Sequence, residues 1–198
     1  MFNPKPTLRL ILLSAIATLA SSCGHPPQPS STTPVSSTAP ANTTTNGSLS
    51  QAKAYFSSGN YKKSLEIYAA AVDGHPGRED LLDAYAGALE DIKDKADKAY
   101  EAQDYAKAGE LYHTLLRSGF SERSLQGKLS FGADDCAMRV GACSKMLIEQ
   151  GIMKYRAGDL HEAIAIWRKI LVFNPTDREA KMAIDRANAQ LQNLKQIQ

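Results

Sequence analysis

One short pattern occurs three times in this chain, and it restricts the fold more than any other feature. Residues Gly59 to Tyr68 align with Gly158 to Trp167, and Gln103 to Tyr112 form a third copy. Each copy holds a large apolar or aromatic residue (Tyr61, Tyr105, Leu160), then a small one (Ser64, Ala108, Ala163), then a bulky aromatic four residues later (Tyr68, Tyr112, Trp167). A spacing of four puts the small and bulky side chains on one helical face. The small residue lets a paired helix approach closely, and the aromatic fills the space beside it. Gly59 and Gly158 follow apolar-periodic segments, where a left-handed residue closes a helix at little cost. From Ser48 onward the only prolines are Pro76 and Pro175, both where helices should end. Ser48-x-x-Gln51 and Thr176-x-x-Glu179 fit a capping box, and Asp159-x-x-Glu162 is an analogue with Asp as N-cap. The expected architecture is therefore all-α, built of helical hairpins.

These features together resemble the tetratricopeptide-repeat family. The match lies in the turn glycines Gly59 and Gly158, the small residues, the aromatics and the closing prolines, and it covers residues 48–176. The resemblance implies a short right-handed α-solenoid of about three hairpins, near 48–76, 89–120 and 144–176. Residues 177–196 then form a capping helix, or alternatively a partner-binding one, with Ala180, Ile184, Ala187, Leu191 and Leu194 on its apolar stripe. The chain departs from the family in spacing. Turn positions 59, 103 and 158 are 44 and 55 residues apart, where the family repeats every 34 or so. Gln103 replaces a glycine, and Phe120 stands at a proline position. A lengthened helix near 79–102 and an irregular stretch near 119–135, broken by Gly119, Gly127 and Gly132, should absorb the insertions.

In that family the first helix of each pair lines a groove that takes a partner segment. The resemblance places Lys53 and Phe56 there from the first pair. From the second it places Lys93, Asp97, Tyr100 and Glu101, and from the third Lys145, Ile148, Ile152, Tyr155 and Arg156. Ile148 and Ile152 suit core and groove equally; Tyr100 and Tyr155, with polar tips, suit a half-wet surface. With Leu49 and Lys53 at the first pair's clamp positions, the family's carboxylate clamp for chaperone tails looks absent.

The N-terminus carries an address. Lys5 and Arg9 precede an uncharged, mostly apolar run from Leu10 to Ala20. That run is too short for a bilayer, which needs about 20 residues, but suits a secretory signal. Leu19-Ala20-Ser21-Ser22-Cys23 resembles the lipobox of bacterial lipoproteins, although Ala20 stands where leucine is commonest. The resemblance implies removal of residues 1–22, acylation of Cys23 and anchoring in lipid. Gly24 resembles the outer-membrane default of enterobacterial sorting, which gives a periplasm-facing location. Residues 23–47 then form a tether; positions 24–47 contain five prolines, many Ser and Thr, and no charged residue, a composition that favours disorder.

The sequence holds no catalytic constellation and no metal-ligand cluster, so no enzymatic activity, cofactor or small-molecule substrate is expected. His161-Glu162 begins like a zinc-protease motif, but Ala165 stands where the second histidine is needed. Cys136 and Cys143 lack companion ligands at zinc-finger spacing. They could form a disulfide in an oxidising compartment, but only if the helix breaks near Gly141, because seven helical residues span roughly 10.5 Å; two buried thiols are the alternative. The formal charge of +2 is carried by Lys5 and Arg9. Without them acids and bases balance, which disfavours nucleic-acid binding. The expected function is a membrane-anchored scaffold for protein–protein interactions in the bacterial envelope, an assembly or adaptor factor for an outer-membrane, secretion, pilus or export machine. The alternative is a structural subunit of a permanent complex or homo-oligomer.

Overall fold

The computed structural model describes residues 41–197 except 124 and 126, with side chains from 46 to 196. Residues 1–40, including the expected signal segment, Cys23 and most of the expected tether, lie outside the described residues. Every regular element among the described residues is helical. In order these are α1 (Ala41–Ser57), α2 (Tyr61–Gly74), α3 (Glu79–Glu101), α4 (Tyr105–Arg117), a single 3-10 turn at Phe120–Glu122, α5 (Ala133–Arg156), α6 (Leu160–Phe173) and α7 (Arg178–Ile197). Each helix packs on the next, and α4 also touches α6.

The three tight turns share one geometry. Gly59, Gln103 and Gly158 adopt φ of 79°, 60° and 87°, and Gln103 is the one described non-glycine residue with positive φ. After each, a backbone N–H closes the preceding helix across five residues: Asn60 to Tyr55, Asp104 to Ala99 and Asp159 to Lys154, at 2.9, 2.9 and 3.0 Å. This is the bonding of a Schellman close. Asn60 and Asp104 then cap the second helices by accepting from the N–H groups of Lys63 and Lys107.

The repeated residues do what their sizes require. Ser64, Ala108 and Ala163 are fully buried, as are Tyr68, Tyr112 and Trp167 apart from a few per cent. Ser64 satisfies its hydroxyl by donating to the Ala52 carbonyl on α1 at 2.9 Å, as a buried polar group must. Trp167 donates through Nε1 to the Ile148 carbonyl on α5 at 3.2 Å. The Phe173 ring occupies the place where a Cβ on Gly109 would sit, so α6 reaches past α5 onto α4.

Phe120, at the expected proline position, is buried and meets Phe131 edge-to-face with centroids 5.3 Å apart. The irregular connection around it is tied down by charge. Arg123 bonds Asp73 at 2.8 Å, and Lys128 bridges Glu79 and Asp83 at 2.7 and 2.6 Å.

Several local expectations need correction. α1 begins at Ala41, inside the stretch read as tether, so Ser48 is a helical residue and not an N-cap. The segment buries Ala52 and partly buries Leu49 and Phe56, and once those are docked each added turn costs little. Asp177, not Thr176, caps α7 by accepting from the Ala180 N–H at 2.9 Å. Asp159 stands at the N-cap of α6 without a side-chain capping bond, and Glu162 instead pairs with Lys154 at 3.0 Å. Cys136 and Cys143 are free and buried, because α5 runs unbroken through Gly141. Two helical turns hold their Cα atoms roughly 10.5 Å apart, beyond the reach of a disulfide.

Candidate functional site

The groove positions fall into three groups. At the end of each first helix an aromatic lies three residues before the turn residue and accepts its N–H through the backbone: Phe56 from Gly59, Tyr100 from Gln103, Tyr155 from Gly158. Phe56 and Tyr100 pack edge-to-face on Tyr61 and Tyr105, with centroids 5.1 and 5.3 Å apart. Tyr155 lacks that neighbour, since Leu160 replaces the aromatic, and leans on Trp167 at 6.0 Å. All three are half-buried, so each ring is partly packed and partly open.

Lys53 and Phe56 line a cleft of about 420 Å³ between α1 and α3, completed by Tyr68, Ala84, Ala88 and Asp91. Ile148, Ile152, Tyr155 and Arg156 line a second cleft of about 380 Å³, whose opposite wall belongs to α7. Ile148 is buried in its floor and Ile152 half-buried, so these residues serve core and cleft together. The exposed Glu101 and Lys145 line neither cleft.

The middle group does something else. Lys93 bonds Asp97 at 2.6 Å, and the Tyr112 hydroxyl donates to the other oxygen of Asp97. Lys93 also lies 5.9 Å from the Phe131 ring centroid, and Arg139 lies 5.0 Å from that of Tyr100, within cation–π range. Burial alone would raise the Asp97 pKa, but the bonds from Lys93 and Tyr112 outweigh it and hold the carboxyl below its ordinary value. Burial, then the bond to Asp97, raises the Tyr112 phenol. Lys93, Asp97 and Tyr100 thus form a satisfied internal cluster that ties α3 to α4 and α5.

No α7 residue was among the groove residues expected from the sequence. Glu179, Met182 and Arg186 line the second cleft, on a stripe beside the buried Ala180, Ile184 and Ala187. Spacings of three and four residues were legible, but only the packing of α7 says which stripe faces α5. Leu194, expected on the buried stripe, is 48% exposed. Among the described residues there is no group of three or more side chains able to hold a metal ion, and no described helix is long and apolar enough to cross a membrane. His161 is exposed. No protein-family model matches this chain, and no curated protein matches it either.

Proposed function

We propose that this chain is a lipid-anchored tetratricopeptide-type scaffold whose stacked hairpins form a short right-handed solenoid and grip a segment of a partner protein. The observation that carries the reading is the cleft between α5 and α7. There Ile152 and Tyr155 are half-buried and Met182 is 61% exposed, so apolar surface stands open between two helices. Such a trough suits an apolar anchor residue of another chain. The three equivalent turns and the buried small–aromatic pairs support the repeat reading. The resemblance at Cys23 supports attachment to the bacterial envelope, with the outer membrane as its location and an assembly or adaptor task for an envelope machine.

Photocrosslinking in intact cells tests this. A benzoylphenylalanine at position 56 or 155 is expected to trap the same envelope protein, whereas one at the exposed Glu110 or Lys169 on α4 and α6 should not. Equal yields from all four positions would overturn the reading. A stable homo-oligomer that shields both clefts would instead favour a permanent structural subunit. Cys23→Ala should abolish incorporation of labelled fatty acid, and continued labelling would remove the anchor.

A further inference from the structure

We infer that the α5–α7 cleft takes an acidic segment of a partner polypeptide, one carrying carboxylates beside large apolar side chains, with Arg156 and Arg186 as the carboxylate contacts. The inference rests on the scaffold reading and specifies the partner's chemistry at one cleft. Arg156 stands on the α5 wall and Arg186 on the α7 wall. Both are exposed, and neither forms an ion pair with another described residue. Lys93, Arg123, Lys128 and Lys154 are each neutralised by a carboxylate within 3.0 Å, and what separates Arg156 and Arg186 from other unpaired cations such as Lys145 and Lys169 is that both line one apolar cleft.

Their own helices offer no acid at interacting distance. The residues three and four positions from Arg186 are Ala183 and Met182 on one side, and Ala189 and Gln190 on the other. Those preceding Arg156 are Met153 and Ile152, and the one acid at that spacing after it, Asp159, stands beyond the end of α5 in the turn to α6 and does not pair with it. Pairs at these spacings are what an exposed helical arginine ordinarily uses. The one acid lining the cleft, Glu179, sits in the first turn of α7, where the helix dipole already favours a carboxylate. The α1–α3 cleft is different, with one cation, Lys53, matched by one anion, Asp91.

A cationic rim over an apolar floor selects its occupant by sign and by shape. The guanidinium fork matches a carboxylate in a bidentate geometry that a lysine cannot copy. Ile148, Ile152 and Trp167 supply the apolar floor, and the flexible thioether of Met182 adapts to the side chain that enters. Charge complementarity sets specificity and encounter rate, while burial of the apolar anchor supplies most of the affinity.

The test uses the full-length protein in nonionic detergent and three fluorescent peptides of about 14 residues, roughly four helical turns. One is composed of Leu, Ala and Glu, one of Leu, Ala and Lys, and one of Ser, Ala and Glu. Trp167, the only tryptophan of the chain, reports occupancy from the cleft floor. The Leu–Ala–Glu peptide is expected to bind and to shift Trp167 emission, and the other two to bind at least about ten-fold more weakly. Arg156→Glu with Arg186→Glu, checked for unchanged helicity, should weaken the Leu–Ala–Glu peptide by about ten-fold and tighten the Leu–Ala–Lys peptide. Equal binding of all three peptides would overturn the inference. So would indifference to the double reversal, or an equal emission shift from phosphatidylglycerol vesicles alone. Undiminished crosslinking from position 155 in the double-reversal variant would overturn this charge assignment and leave the scaffold reading standing.

Discussion

Gly151 on α5 lies directly beneath the indole of Trp167 on α6: a Cβ built at position 151 would overlap Nε1 and Cε2 of the ring. The contact sets the separation of the two helices and places the indole at the floor of the cleft. Gly151→Ala should therefore lower stability by about 1–3 kcal/mol through overpacking, although alanine is the better helix former. Gly141, on the same helix, is exposed with nothing within 4 Å of a built Cβ. Gly141→Ala should raise stability by about 0.5–1 kcal/mol. Thermal unfolding of the two variants is expected to move in opposite directions; a stabilised Gly151→Ala would refute the packing described.

Trp167→Ala should cost about 3–5 kcal/mol, since it empties a buried site and removes the indole's bond to the Ile148 carbonyl. In the unaltered protein, Trp167 emission should be blue-shifted and poorly quenched by iodide until unfolding. An unchanged melting temperature for the alanine variant, or free quenching of the native protein, would place the indole outside the core.

Gln103 holds φ of 60° at a turn where the equivalent positions are Gly59 and Gly158. A left-handed conformation costs a residue with a Cβ roughly 1–2 kcal/mol, and glycine returns part of that through the greater freedom of its unfolded state. Gln103→Gly should raise stability by up to about 1 kcal/mol, whereas Gly59→Ala and Gly158→Ala should each lower it by about as much. Denaturant midpoints at constant slope would test all three.

Burial pushes the thiols of Cys136 and Cys143 up from 9.0 to about 11. In the unfolded chain they deprotonate first, so between about pH 9 and pH 11 the unfolded state holds fewer protons. Stability is then lost as pH rises through that window and is fully present below it. The loss is on the order of 2 kcal/mol per thiol. Tyrosines ionise in the same range, so the measurement is the difference in pH dependence between the protein and its Cys136→Ala, Cys143→Ala variant. Identical profiles would contradict the burial. Both thiols should also resist Ellman's reagent until the protein is denatured.

Much of the fold was legible in local pattern. A small residue followed four places later by an aromatic can be buried only by a paired helix, and a glycine between two such segments is a turn. Tight turns between successive helices therefore appear at the expected residues, with the lengthened α3 and the irregular connection after α4 absorbing the extra residues. Helix starts were less legible: Ser48, Thr176 and Asp159 all have the right composition for caps, but α1 extends past Ser48, Asp177 outcompetes Thr176, and Asp159 and Glu162 do not close a box. Capping chemistry is degenerate among neighbouring polar residues, and packing decides which is used.

The groove residues divide along the same line. Their assignment to the first helices came from the family resemblance, and Phe56, Tyr100 and Tyr155 occupy equivalent places because the three turns are equivalent. What each group does was settled by partners remote in sequence. Asp97 is satisfied by Tyr112 on α4, Tyr100 lies under Arg139 of α5, and the second cleft has Met182 and Arg186 of α7 as its far wall. Periodicity specifies which side chains share a face of one helix. Which face meets which neighbour depends on the separation and rotation of whole helices, set here by contacts such as Gly151 on Trp167 and Gly109 on Phe173, and those arise only when the hairpins dock.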